Sequence, residues 1–269
     1  MPTRSELEAA LQPLLEAPDH AAVFCDVDGT IAPIVERAEL ASLSERTSRL
    51  LGALGRRYAG VACVSGRAVG DLRGLVGVDT ITYAGSHGAE ILLAGAREPE
   101  RMPELEEDAD RVRRFAGELD GADLDELGIR IEDKGPIFAF HWRGTSDETA
   151  AQERVEQVAA AAEKEELWTH WGRKVLEVRP PVALDKGRAV RTVLEGRDVG
   201  AALFAGDDRT DLDGFEALGA LVAEGKLEAA VRVGIASDEG PPEIVGEADL
   251  AVEGVDGFID VLAVLAGED

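Results

Sequence analysis

The chain has 269 residues, 45% of them hydrophobic, and carries 54 acidic against 28 basic side chains, a formal net charge of −26. That balance excludes a general affinity for nucleic acid or anionic membrane, and no apolar run approaches the length of a membrane span. The length exceeds what one small core usually organises, so a core domain plus a second module is expected. The absence of a basic-then-apolar leader pattern points to a cytoplasmic protein.

The acid is spread over the chain rather than gathered in a tail. It decorates helical stretches that keep their apolar stripes, as at residues 104–110 and 153–166. Lysine is scarce beside arginine, and the whole pattern resembles a halophilic surface, on which salt screens self-repulsion. Cys25 and Cys63, the two cysteines, both lie in apolar runs and are expected to be buried, reduced thiols.

In chain order, Leu7, Leu11, Leu14 and Leu15 predict one amphipathic helix over residues 5–17. Ala21-Ala22-Val23-Phe24-Cys25 reads as a buried parallel strand that delivers Asp26-Val27-Asp28-Gly29-Thr30 at its carboxyl end, where open α/β sheets bind ligands. Two carboxylates two residues apart leave water only where a cation or donors compensate them, and Gly29 permits the tight turn that aims both into one crevice. A nucleophilic carboxylate there suggests an aspartyl-phosphate intermediate; the plainer alternative is an ordinary acidic turn. Pro33 prevents simple helix continuation, and a helical stripe through Leu50, Leu51 and Leu54 covers residues 44–58. A strand at 61–64 then ends at Ser65-Gly66-Arg67, and another at 80–84 ends at Gly85-Ser86-His87-Gly88.

From residue 94 the texture changes to an α-β-β-α-β-β insertion: a helix at 104–119, strands at 129–132 and 137–142, a helix at 147–166, and strands at 167–171 and 174–179. Pro180-Pro181 closes it as a stiff linker. The expected division is therefore a core of residues 1–93 and 181–269 with an inserted domain at 94–180. The core resumes with a helix at 185–194, a strand at 201–205, a helix at 211–221, strands at 229–235 and 249–252, and a closing helix at 255–266.

The strand at 201–205 is the second to end in paired acids, Gly206-Asp207-Asp208, with Thr210-Asp211 just beyond. Mg²⁺ takes oxygen ligands, so carboxylates from two neighbouring strand ends make a sensible site that would also neutralise phosphate. Lys186 at a helix start offers a point charge and Ser65 a hydroxyl.

DVDGT, then SGR, then a lysine before a helix, then GDDRTD, in this order, resemble the haloacid dehalogenase-type phosphatases. That resemblance implies a doubly wound, mostly parallel α/β core with an inserted α+β cap between the second and third motifs. Glu132-Asp133-Lys134, His141-Trp142-Arg143 and the run from Gly172 to Pro180, with DGTIAPI and GSHGAE, narrow it to the trehalose-6-phosphate phosphatases. The roles it implies are Asp26 as nucleophile and Asp28 as general acid then base, with Ser65 and Lys186 on the phosphate. The metal set would be Asp26, Asp28 through its backbone carbonyl, and Asp207, with Asp208 and Asp211 in the outer shell. Arg67, His87, Glu132, Lys134, Arg143, Lys174 and Glu177 would contact substrate, and Mg²⁺ is the implied cofactor. Hydrolysis of trehalose 6-phosphate is the implied reaction, and association with a trehalose-phosphate synthase the implied partnership. Another sugar phosphate (sucrose phosphate or a glycosylglycerol phosphate), or a non-catalytic regulatory binding protein, are the rival readings. Two positions depart from the family pattern, Trp142 where tyrosine is usual and Leu212 where an acid is usual, with Asp213 beside it.

Several residues carry a plainer reading as well. His87 is equally explained by a turn held by its own hydrogen bonds, and Arg67 by a salt bridge to a nearby acid. His20 and His170 are expected to be structural, and Trp142, Trp168 and Trp171 to fill the core of the inserted domain.

Overall fold

The computed structural model describes residues 2–35, 40–101, 103–119, 121–237 and 240–268. The chain divides into two units, Met1–Glu100 with Leu184–Asp269, and Arg101–Ala183. In chain order the strands are β1 (Ala21–Cys25), β2 (Gly60–Val64), β3 (Thr82–Gly85), β4 (Glu90–Leu92), β5 (Glu100–Arg101), β6 (Arg130–Asp133), β7 (Phe138–His141), β8 (Trp168–Gly172), β9 (Val175–Arg179), β10 (Ala201–Gly206), β11 (Ala229–Ala236) and β12 (Leu250–Glu253).

The larger sheet runs β12-β11-β10-β1-β2-β3-β4-β5. β1 is parallel to both neighbours, with Cys25 opposite Ala205 of β10 on one side and Cys63 of β2 on the other. The chain winds outward from β1 through β2 and β3, then returns to β10 and winds the other way, which makes the gap between β1 and β10 the topological switch point. Every residue of β1 and β10 is buried, because apolar side chains alternate onto two covered faces. Val23, Cys25, Leu203 and Ala205 join one core, and Ala22, Phe24, Ala202 and Phe204 the other.

Two of the core helices begin at side-chain caps. Ser44 accepts from the Thr47 amide at the head of Glu45–Arg57, and Asp185 from the Arg188 amide at the head of Lys186–Leu194. The single helix expected over residues 5–17 is two, Arg4–Ala10 and Gln12–Leu15, since Pro13 cannot donate to the preceding turn and instead opens the second helix. The helix Val69–Val76, the antiparallel β4 and the short helix Pro242–Gly246 were not foreseen. β4 folds back on β3 and keeps residues 94–100 with the first unit, so the boundary falls later than the sequence suggests. No described helix is long and apolar enough to cross a membrane.

The second unit has its own antiparallel sheet, ordered β6-β7-β9-β8. Phe140, Leu176 and Val178 project from one face onto Val155, Val158 and Ala162 of the helix Glu148–Lys164. Trp142 is buried there, whereas Trp168 and Trp171 are 51% and 45% exposed, against the expectation of core positions. The cause is topological: β8 is an edge strand, so its side chains have a neighbour on one side only. Lys174 also leaves its expected strand, sitting at φ +60° in the two-residue turn between β8 and β9.

Candidate active site

Four buried charges meet where β1 and β10 end. The backbone N–H of Asp26 donates to the Ala205 carbonyl at 2.9 Å, which locks the first residue past β1 against β10. Lys186 Nζ donates to Asp26 Oδ1 at 2.7 Å and to Asp211 Oδ1 at 2.6 Å. Asp211 Oδ2 in turn accepts the backbone N–H groups of Asp207 at 3.1 Å and Asp208 at 3.0 Å. Thr30, in the motif but given no role from sequence, donates to Asp207 Oδ1 at 3.2 Å. Asp26, Asp207, Asp211 and Lys186 are all nearly inaccessible to solvent.

Asp26, Asp207 and Asp211 each place a carboxylate oxygen within 4.8 Å of the others. One ammonium against three carboxylates leaves an uncompensated negative charge in a buried site. Burial pushes Asp26 well above the usual carboxylate range; Lys186 opposes that rise, while Asp211 and Asp207 add to it. Burial and the neighbouring Asp211 push Asp207 up to about 7. Burial works against the Lys186 charge, but Asp211 and Asp26 outweigh it and hold the ammonium above its ordinary range.

The backbone makes room for these acids. Gly29 lies at φ +94°, and a Cβ there would stand 2.0 Å from Asp207 Oδ2. A Cβ on Gly206 would stand 2.1 Å from Asp211 Cγ. Only glycine lets both turns close over the carboxylates.

The structure places the side chain of Asp28 in a different arrangement. Arg67 grips both its oxygens, Nε to Oδ2 and Nη2 to Oδ1, each at 2.7 Å, so Asp28 stands beside the acid cluster in a bidentate ion pair. Sequence left Arg67 open between substrate contact and salt bridge; here it is a salt bridge to one of the motif's own acids. Ser65 is buried past β2, and its Oγ accepts the Arg67 N–H at 3.2 Å. His87 is buried in the left-handed region at φ +56°, with its N–H on the Ser65 carbonyl and its ring against Gly66, where a Cβ would lie 2.7 Å from Nε2. Asp208 is exposed and caps the turn Arg209–Asp211. Leu212 packs into the core, and burial, with Asp185 adding, pushes Asp213 up to about 6.

In the second unit, Glu132, Lys134 and Glu177 fall on one side of the sheet, where Glu132, Ala139 and Glu177 form a row across β6, β7 and β9. Glu132 pairs with His141 at 2.7 Å, and that hydrogen bond holds its carboxyl below the usual range. Lys134 Nζ donates to Glu177 Oε1 at 2.9 Å and Arg179 Nε to Oε2 at 3.0 Å. Lys174 does not join them: it pairs with Glu148 at 2.7 Å, and Arg143 donates to the Arg173 carbonyl. His141 and Arg179 were missed by the sequence reading, although both stand inside the quoted motifs.

The trehalose-phosphatase family model matches residues 24–241. A trehalose-phosphate phosphatase of Mycobacterium marinum is 34% identical over 235 residues, 80% of this chain and 57% of that protein. An uncharacterized glycosyl hydrolase of Mycobacterium tuberculosis is 34% identical over 209 residues, 73% of this chain but 15% of the other. The chain thus spans little more than half of one curated relative and a small part of the other. Among solved structures, the Candida albicans trehalose-6-phosphate phosphatase C-terminal domain superposes with a TM-score of 0.73 at 20% identity, covering 99% of this chain and 98% of that one. A haloacid dehalogenase-like hydrolase from Bacteroides thetaiotaomicron gives 0.59 at 15%, covering 91% and 99%. At those identities the likeness is one of fold.

Proposed function

The chain belongs to the trehalose-phosphatase family, and from that premise we propose that it hydrolyses trehalose 6-phosphate to trehalose and phosphate with the help of Mg²⁺. The observation that carries the reading is the buried set of Asp26, Asp207, Asp211 and Lys186 at the switch point of the sheet.

Asp26 is the nucleophile in this proposal. Its carboxylate bonds to phosphorus as the bond from phosphorus to the sugar oxygen breaks, and Asp28 gives that oxygen its proton. Asp28 then takes a proton from the water that attacks the aspartyl phosphate, releasing phosphate and restoring Asp26. Arg67 holds both oxygens of Asp28, so for Asp28 to reach the leaving-group oxygen that fork must loosen. Lys186 and Ser65 supply donors to the phosphoryl oxygens, and Lys186 also fixes the orientation of Asp26.

The oxygen-only donor set with uncompensated negative charge fits a small, hard divalent cation. Asp211 accepts Lys186 on one oxygen and two backbone amides on the other, so it would hold the cage, while Asp26 and Asp207 would be the carboxylate ligands, with the Asp28 backbone carbonyl implied by the family resemblance. When bound, Mg²⁺ neutralises charge on the phosphoryl group. The sugar is read, in this proposal, by Glu132, Lys134 and Glu177 of the second unit.

Phosphate release across a panel of sugar phosphates, with Mg²⁺ or with EDTA, tests the reading. Trehalose 6-phosphate should have the highest kcat/KM and EDTA should abolish turnover. A better sucrose or glycosylglycerol phosphate would replace the substrate, and full activity in EDTA would remove the metal.

A further inference from the structure

A cavity of about 520 Å³ lies at the amino ends of β10 and β11, at the other end of the sheet from the acid cluster. It is bordered by the last turns of the helices Lys186–Leu194 and Leu212–Ala223, and no residue of the acid cluster lines it. Its apolar wall is Leu194, Val199, Leu221 and Leu227, which belong to or pack against the core on that face of the sheet. Arg191, Arg197 and Lys226 stand around that wall.

This charge is out of keeping with the surface beside it. A second cavity at the same end of the sheet is lined by Glu16, Asp198 and Glu228, as expected of a chain with 54 acidic side chains. In the first, three cations face the carboxylates of Glu195 and Glu224, a local positive excess where the chain as a whole carries −26. Glu224 serves two of them: Arg191 donates to its oxygens at 3.0 Å and 3.3 Å, and Lys226 pairs with it at 2.9 Å. Arg191 and Lys226 also complement the negative ends of the two helices, but that accounts neither for Arg197 nor for an apolar wall beside the charges. Arg197 donates Nη1 to the Ala59 carbonyl at 3.2 Å, and a guanidinium has several N–H groups, so this bond leaves it able to hold an anionic oxygen as well.

An apolar wall under a cationic rim selects a ligand that has both parts. Inorganic phosphate or sulfate would leave the wall uncovered, and a neutral hydrocarbon would leave the rim unanswered. Glu195 and Glu224 would repel a second acid group on the ligand, so a single charge suits the site. The volume is that of a small-molecule site. We propose that this cavity binds a small organic anion, one carboxylate or sulfonate on a ring-sized apolar body, with its acid group on Arg197 and Lys226 and its apolar part on Leu194, Leu221 and Leu227. No residue of the acid cluster takes part, so the site stands or falls independently of the function proposed above.

The test is titration of the full chain with anilinonaphthalene sulfonate, an apolar double ring bearing one sulfonate, whose emission rises as it leaves water. One saturable site is expected. In the double variant Arg197→Gln with Lys226→Gln its affinity should fall at least about tenfold, while circular dichroism and phosphatase turnover stay at wild-type values. On the wild-type protein, at fixed ionic strength, naphthoate should displace the dye, whereas the neutral naphthalene methanol and inorganic sulfate at the same concentration should not. Absence of a saturable signal overturns the inference, as does undiminished affinity in the folded double variant. Displacement by the neutral alcohol as readily as by naphthoate removes the role of the rim, and displacement by sulfate as readily removes that of the wall; either overturns the assignment. Should the double variant fail to fold, the displacement series on the wild-type protein decides.

Discussion

Without a divalent cation, the acid cluster should make this protein less stable as pH rises from 5 to 8. Asp207 is pushed up to about 7, chiefly by burial and then by Asp211. A carboxyl whose pKa is higher folded than unfolded binds its proton more tightly in the folded chain. Its contribution is therefore fully present below the unfolded value of about 4 and is lost as pH climbs through the folded value. A gap of about 3 in pKa amounts to on the order of 4 kcal/mol for Asp207, of which about 3 kcal/mol falls between pH 5 and 8, and Asp26 moves in the same direction for the same first reason. Lys186 stays protonated throughout this window and adds no slope. In a chain of this size such a loss lowers the melting temperature by on the order of 10 °C. Net charge also disfavours folding at high pH, so the measurement is the difference in slope between wild type and Asp207→Asn, which cannot ionise there. Thermal melts at fixed ionic strength in EDTA should fall more steeply for wild type. Added Mg²⁺ should stabilise wild type far more at pH 8, where the cluster is ionised, than at pH 5. Parallel slopes for the two proteins, or an equal Mg²⁺ shift at both pH values, would refute the description of these carboxylates as a strained, cation-seeking set.

Asp26→Asn should fold and lose at least about a hundredfold in kcat, since an amide cannot form the acyl phosphate; turnover closer to wild type in a phosphate-release assay removes the covalent route. Gly29→Ala should destabilise by about 2 kcal/mol or more, because its φ of +94° and the 2.0 Å approach to Asp207 leave a methyl group nowhere to go. Calorimetry reads that loss, and a melting temperature unchanged within error would show the turn to be more yielding than drawn. The charge of −26 predicts a melting temperature that climbs between low and molar NaCl or KCl, as the Debye length falls to about 3 Å; a flat or falling profile ends the halophilic reading.

How legible the site is in the sequence depends on the range of the interaction that forms it. Ala21–Cys25 and Ala201–Gly206 are short apolar runs ending in acids, and burial on both faces needs no partner information to be recognised. The crevice between them was readable for that reason. The Arg67–Asp28 fork joins residues 39 apart across a strand boundary, and nothing local distinguishes it from any other pairing of an arginine among 54 acids. Val69–Val76 escaped notice because Gly70 and Gly74 sit inside it and its apolar stripe is short. Trp168 failed for a different reason: with 4% aromatic residues it was natural to place every tryptophan in a core, but its face is fixed by the register of β8 on β9.

On the proposed function, the same contrast would separate recognition of phosphate from recognition of sugar. Groups at the ends of β1, β2 and β10 are set by backbone positions that a one-residue shift would abolish along with the fold, so their identities are tied to the sheet itself. The polar face of β6, β7, β9 and β8 opposes its own packed apolar face, so its side chains can change without emptying a core. On the proposed function, substitutions at Glu132, Lys134 and Glu177 would therefore have room to alter which sugar is accepted, while Asp26, Lys186, Asp207 and Asp211 would not have that freedom. Their mutual dependence shows in the contacts: Lys186 serves Asp26 and Asp211 together, and Asp211 holds the amides of Asp207 and Asp208. Removing Lys186 leaves two buried carboxylates without their cation, and removing Asp211 leaves the amides of Asp207 and Asp208 without their acceptor, a penalty that falls on stability as well as on chemistry.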